Sequence, residues 1–158
     1  MKKIVSAIAA LCLMCSASQA VFATAQSIVI NGVPQEIPAE MGEIIEQNDR
    51  TFVPLRFVSE SMNKTVKYDD NLKGAYVLDK NDMYIIQEGK NFIVKITDFA
   101  KENQVTEMDV AAFTKQYEIN GELGGRMYIP IRFMAEAFGY TVGWDEATQT
   151  VTIDDKTE

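Results

Sequence analysis

Two stretches of the chain repeat one arrangement of apolar and polar positions. Arg50-Thr51-Phe52-Val53-Pro54-Leu55-Arg56-Phe57-Val58-Ser59-Glu60 lies over Arg126-Met127-Tyr128-Ile129-Pro130-Ile131-Arg132-Phe133-Met134-Ala135-Glu136 at an offset of 76. The register continues without a gap through Thr65-Val66-Lys67-Tyr68-Asp69 over Thr141-Val142-Gly143-Trp144-Asp145, and on to Val77 over Ile153. Eight of these 28 aligned positions are identical, where ordinary composition would give about two. In each copy an apolar pair, Phe52-Val53 or Tyr128-Ile129, reads as the end of a strand. Pro54 and Pro130 follow where a helix begins, because proline's fixed φ suits the first helical position. Leu55, Val58 and Met62 then recur at i, i+3 and i+7, as do Ile131, Met134 and Phe138, giving one apolar face of two to three turns. Asn63 and Gly139 stop the helices, being the residue types that best accept the left-handed closing conformation. An alternating strand, a turn rich in Asp and a returning strand complete each unit. Each copy therefore predicts strand, short helix, hairpin.

Outside the copies, Ser27–Ile30 runs into the tight-turn dipeptide Asn31-Gly32. Met83–Ile86 and Asn91–Ile96 flank Gln87–Lys90 as a second hairpin, and Met108–Ala111 with Tyr117–Gly121 predicts another short strand pair. Residues 97–107, rich in Asp, Lys, Glu and Asn, read as a solvated loop or helical turn. The prediction is an α+β fold, an antiparallel sheet with hairpins wrapped around two short helices. One domain, residues 26–158, would hold the two pseudo-repeats, at about 28–96 and 108–154.

The first 25 residues change the picture. Lys2 and Lys3 precede an apolar run from Ile4 to Met14, and Ala23-Thr24-Ala25 offers an A-x-A cleavage site. This is the order of a secretory signal peptide, residues 1–25, too short in its apolar part to anchor permanently. Cys12 and Cys15 both lie inside it, so the mature chain has no thiol for a disulfide. The mature charge is −10, from 13 basic and 23 acidic residues. Such a balance argues against nucleic acid or an anionic membrane surface as partner. The absence of His removes Ser-His-Asp and Cys-His nucleophiles and imidazole metal sites.

Candidate chemistry is sparse. Arg56/Glu60 and Arg132/Glu136 are i, i+4 pairs on a shared helix face. Their presence in both copies predicts a structural clamp rather than recognition of a ligand carboxylate. Tyr68 and Trp144 stand before Asp69 and Asp145, where an aromatic would pack the hairpin on the helix rather than stack on a sugar. Asp69–Gly74 fails as a calcium loop because Lys73 and Lys80 occupy ligand positions. No catalytic residue and no metal ligand is singled out, and the binding residues are not fixed by spacing.

The doubled Pro-x-Arg-Phe-x-x-Glu core, followed by Val-x-(Trp/Tyr)-Asp, resembles the copper amine oxidase N-terminal-like domain, a stalk module of exported proteins common in Gram-positive bacteria. The residues that carry the resemblance are Pro54, Arg56, Phe57, Glu60, Tyr68 and Asp69 in one copy, and Pro130, Arg132, Phe133, Glu136, Trp144 and Asp145 in the other. The resemblance implies a small antiparallel sheet around a short helix, no oxidase activity and no cofactor, since copper and quinone belong to a separate catalytic domain. The resulting expectation is a secreted, extracellular or wall-associated module, not an enzyme, that binds cell-wall polysaccharide or another exported protein and leaves the membrane after signal cleavage. Its alternatives are a carboxylate-dependent hydrolase of wall glycan and a secreted inhibitor or accessory subunit.

Overall fold

A computed structural model describes residues 25–98 and 103–156. The predicted signal segment, apart from Ala25, lies outside these residues. The chain runs β1 (Ser27–Ile30), β2 (Val33–Gln35), β3 (Ile45–Gln47), β4 (Arg50–Pro54), α1 (Leu55–Ser61), β5 (Thr65–Asp69) and β6 (Gly74–Asp79). It continues through β7 (Asp82–Gln87), β8 (Phe92–Thr97), β9 (Gln104–Glu107), β10 (Phe113–Ile119) and β11 (Glu122–Pro130). It ends with α2 (Ile131–Ala137), β12 (Tyr140–Asp145) and β13 (Thr150–Asp155). The class is α+β, dominated by strands. Among the described residues, no helix is long and apolar enough to cross a membrane.

The strands form three sheets, ordered β12-β13-β1-β2, β10-β11-β4-β3 and β5-β6-β7-β8-β9. The middle sheet joins the two similar stretches. β4 and β11 pair antiparallel, with Val53 opposite Ile129, Phe52 opposite Pro130 and Pro54 opposite Tyr128. Val53 and Ile129 are themselves related by the 76-residue offset. The pairing is therefore centred on a local two-fold relation, and each helix leaves its strand in the opposite direction. Both helices enter one core. Leu55, Val58 and Met62 of the first unit and Ile131 and Met134 of the second are buried, each worth roughly 1.5–3 kcal/mol of transfer free energy. A seven-residue helix has no stability alone, so this burial is what holds it.

The helix ends follow from the residues there. Asn63 (φ 59°) and Gly139 (φ 92°) take the left-handed conformation, and their amides donate to Glu60 O and Glu136 O, each at 2.9 Å. Pro54 and Pro130 stand one place earlier than predicted. They are the last strand residues, with ψ of 125° and 123°, and the helices begin at Leu55 and Ile131. The cause is the β4–β11 pairing, which holds both prolines extended.

Ser59 of α1 is fully buried and its hydroxyl has no partner among the described residues. The aligned residue of α2 is Ala135, equally buried. Ser59→Ala should therefore stabilise the protein by about 1 kcal/mol, because an orphaned hydroxyl loses its hydration without recompense. A higher urea midpoint at unchanged slope checks this.

Several predicted elements differ. β2 and β3 were not anticipated; three residues are too few to show a period. The segment 97–107, read as a loop or helical turn, holds β9, which pairs with β8; residues 99–102 lie outside the described part. Met108–Ala111 is not a strand. The pair predicted there is instead the longer hairpin β10–β11, turning at Asn120-Gly121. The sheets are not wholly antiparallel either, since β1 pairs parallel with β13 from Ser27↔Thr150 to Ile30↔Ile153.

An aromatic seam backs the middle sheet. Phe113 lies between Phe52 (centroids 5.0 Å apart) and Tyr128 (5.3 Å, stacked). The Tyr128 hydroxyl meets that of Tyr117 at 2.5 Å and accepts from the Glu43 amide at 3.2 Å. Burial first, then the Tyr128 hydroxyl, pushes the Tyr117 phenol up to about 12. Below pH 10 both folded and unfolded chains keep this proton. Between about pH 10 and 12 the unfolded chain loses it first, so stability should fall as pH rises. Urea midpoints measured across that range should show the fall, and Tyr117→Phe should lessen it.

Candidate functional site

The residues shared by the two units divide into a buried set and an exposed set. Phe57 is buried, and Phe133 is partly buried against the core. Asp69 and Asp145 are turn residues. Asp69 Oδ1 accepts from the Asn71 and Leu72 amides at 2.9 and 3.0 Å, and Asp145 Oδ1 from Ala147 and Thr148 at 2.9 and 3.3 Å. Hydrogen bonds from Thr148, side chain first and then amide, hold the Asp145 carboxyl below its ordinary value. These carboxylates are used in closing the hairpins.

The helix pairs are weaker than a clamp. Arg56–Glu60 spans 3.9 Å and Arg132–Glu136 3.6 Å, with all four side chains about half exposed. Pairs this open contribute under about 1 kcal/mol. Arg132 also donates to Val142 O at 3.2 Å, the sort of strand carbonyl a structural role needs; Arg56 makes no such bond among the described residues.

The two aromatics do not pack in the core as predicted. Trp144 is 40% exposed and Tyr68 46%. Both lie on edge strands, β12 and β5, and each borders a groove. The groove beside Trp144, about 510 Å³, is lined by Arg132 at the start of α2, by Val142 and Val151 of the hairpin, and by Arg50 and Thr51 of β4. The groove beside Tyr68, about 250 Å³, is lined by Arg56 of α1, Val66, Ala75, and Arg126 and Met127 of β11. Every one of these residues maps onto its counterpart under the 76-residue offset. The antiparallel β4–β11 pairing explains the crossing: each strand passes its arginine to the other unit's groove. The chain contains four arginines, and all four line these grooves, two in each.

Their charge balance differs. Three carboxylates, Glu46, Asp49 and Asp109, share the Trp144 groove with its two arginines. Arg50 is already paired there with Asp109, and this contact, more than any other, holds the Asp109 carboxyl down. The Tyr68 groove has two arginines against one acid, Glu40. Arg126 donates to the carbonyls of Glu40 (2.9 Å) and Gly125 (3.1 Å) and, among the described residues, meets no carboxylate. Gly125 also floors this groove; a Cβ there would lie 2.8 Å from Thr114 Cγ2. Sequence reasoning singled out Arg56, Arg132, Tyr68 and Trp144 but missed Arg50 and Arg126 as their neighbours. The signal was present, since the same offset aligns those two.

The profile of the copper amine oxidase N-terminal domain matches residues 29–153, most of the chain and all but a few residues at each end of the described fold. The chain belongs to the copper amine oxidase N-terminal domain family. Searches of curated proteins and of solved structures found no match. The matched region of this copper amine oxidase N-terminal domain protein is the stalk-type domain, distinct from the oxidase's catalytic domain. The family name raises copper, so its fit can be tested. The sequence has no His, and among the described residues no three Cys, Asp or Glu side chains gather to hold a metal. The donor set does not suit copper, which prefers imidazole or thiolate.

Proposed function

We propose that this protein is a non-catalytic binding module, exported through its N-terminal segment, that holds bacterial cell-wall polysaccharide in its two grooves. The observation that carries the reading is the exposure of Trp144 and Tyr68 at equivalent edges of the paired grooves. An exposed aromatic ring bordering a groove offers a flat apolar platform, and the apolar C–H face of a pyranose is of matching size. The arginines beside each ring add directed hydrogen-bond donors for ligand oxygens. The family match supports a role apart from oxidase chemistry.

Export would involve cleavage after Ala25, and intact mass of the secreted protein should then begin at Gln26. The Gln26 nitrogen donates to Gln149 O at 2.9 Å, a contact such a chain would keep. The binding test is incubation of the purified protein with isolated cell wall, with bound protein and released soluble sugar both followed. Saturable binding without release is expected. Release of sugar would make the protein a hydrolase, and absence of binding would remove the polysaccharide reading.

A further inference from the structure

Resting on the reading of the grooves as saccharide sites, we infer that the Tyr68 groove is a subsite for a carboxylate-bearing sugar, a uronic-acid-type unit, whereas the Trp144 groove is not. The two grooves are built from equivalent residues, so their differences indicate what each takes. In the Trp144 groove three acids outnumber two arginines, and Arg50 is occupied by Asp109. An anionic ligand would have to displace that carboxylate. In the Tyr68 groove the arginines outnumber the single acid. Arg126 uses two of its donors on backbone carbonyls, which fix its side chain and leave the rest of the guanidinium without a partner among the described residues. Gly124 clears the space for it, because a Cβ there would stand 3.0 Å from Arg126 Nη1. A planar fork held in place beside a second guanidinium, Arg56, whose contact with Glu60 is long (3.9 Å) and half exposed, matches a carboxylate in a way that a lysine would not.

The surroundings favour a sugar over a uniformly acidic chain. A second hollow of about 540 Å³ adjoins this groove, and Tyr68, Gly125 and Met127 line both. Its remaining wall mixes Lys73 and Gln116 with Asp70 and Glu88. Sugar hydroxyls donate and accept, so such a wall suits them, while its two carboxylates repel further negative charge. The ligand would thus place its carboxylate at Arg56 and Arg126, lay its ring on Tyr68 and extend hydroxyls into the second hollow.

The test uses the folded protein and three probes: a neutral-sugar tetramer bearing one galacturonic acid unit, its methyl ester, and a hexaglutamate peptide, with affinities from calorimetry. The acid tetramer should bind roughly tenfold or more tightly than the ester, the difference one charge-assisted hydrogen-bonded contact makes. Arg126→Gln should erase that preference, and Arg126→Lys should restore only part of it. Tyr68→Ala should weaken both tetramers. The acid-against-ester comparison needs no variant, so a variant that fails to fold does not spare the inference. Equal binding of acid and ester, binding of neither, or hexaglutamate binding as tightly as the acid tetramer would overturn it. Should wild-type protein still bind cell wall in any of those cases, the general saccharide reading survives and only this assignment fails.

Discussion

A chain ended after Thr97 should not fold, and neither should the remainder expressed alone. Such a cut separates β4 from β11 and β1 from β13, pairings that join residues far apart in sequence. Val53 and Ile129, at the centre of the β4–β11 pair, are completely shielded from solvent, as are Val58 of α1 and Met134 of α2. Each fragment would expose half of that core and carry a seven-residue helix stripped of its partner helix and of the other unit's strand. Thermal unfolding followed by circular dichroism should show no cooperative transition for either fragment, against one transition for the whole chain. Independent melting of both halves would mean two cores rather than one.

Tyr128→Ala should be the most damaging single substitution, costing about 3–5 kcal/mol. The ring is fully buried and stacks on Phe113, which in turn packs on Phe52 of β4. Its removal opens a cavity between the middle sheet and the segment carrying Gly42 and Glu43. Its hydroxyl serves the Glu43 amide and Tyr117, so Tyr128→Phe isolates the polar part, at about 1–3 kcal/mol. Urea midpoints for the two variants separate cavity from hydrogen bond. Equal losses would place the whole effect in the hydroxyl and contradict the packing account.

The two units were legible because their signals are local. A proline, an i, i+3, i+7 apolar face and a left-handed stop specify each helix within ten residues, and Asp69 and Asp145 mark the hairpin turns. What escaped was non-local or too short. β1 pairs with β13, whose partner residues lie 123 positions on, and nothing in Ser27–Ile30 says which strand it will meet. β2 and β3 are too brief for a period to show. The grooves were half legible. Arg56 reads in the sequence as half of a structural clamp with Glu60, and Tyr68 as a packing residue, the latter on the assumption that each unit covers its own hairpin. In the structure β5 and β12 are sheet edges, so Tyr68 and Trp144 stay at the surface. Arg126 and Arg50 reach the grooves only because β4 and β11 run antiparallel about Val53 and Ile129. That relation depends on tertiary pairing, which no window of sequence contains.

The most direct measurement is co-sedimentation with isolated bacterial cell wall, comparing the native chain with the Tyr68→Ala/Trp144→Ala double variant. Both rings are exposed, so the variant should stay folded within about 1 kcal/mol of the native chain, which its melting curve will verify. The account predicts saturable sedimentation of the native protein and loss of it in the folded double variant, with no soluble sugar released by either. Sedimentation of the variant equal to that of the native chain would contradict it.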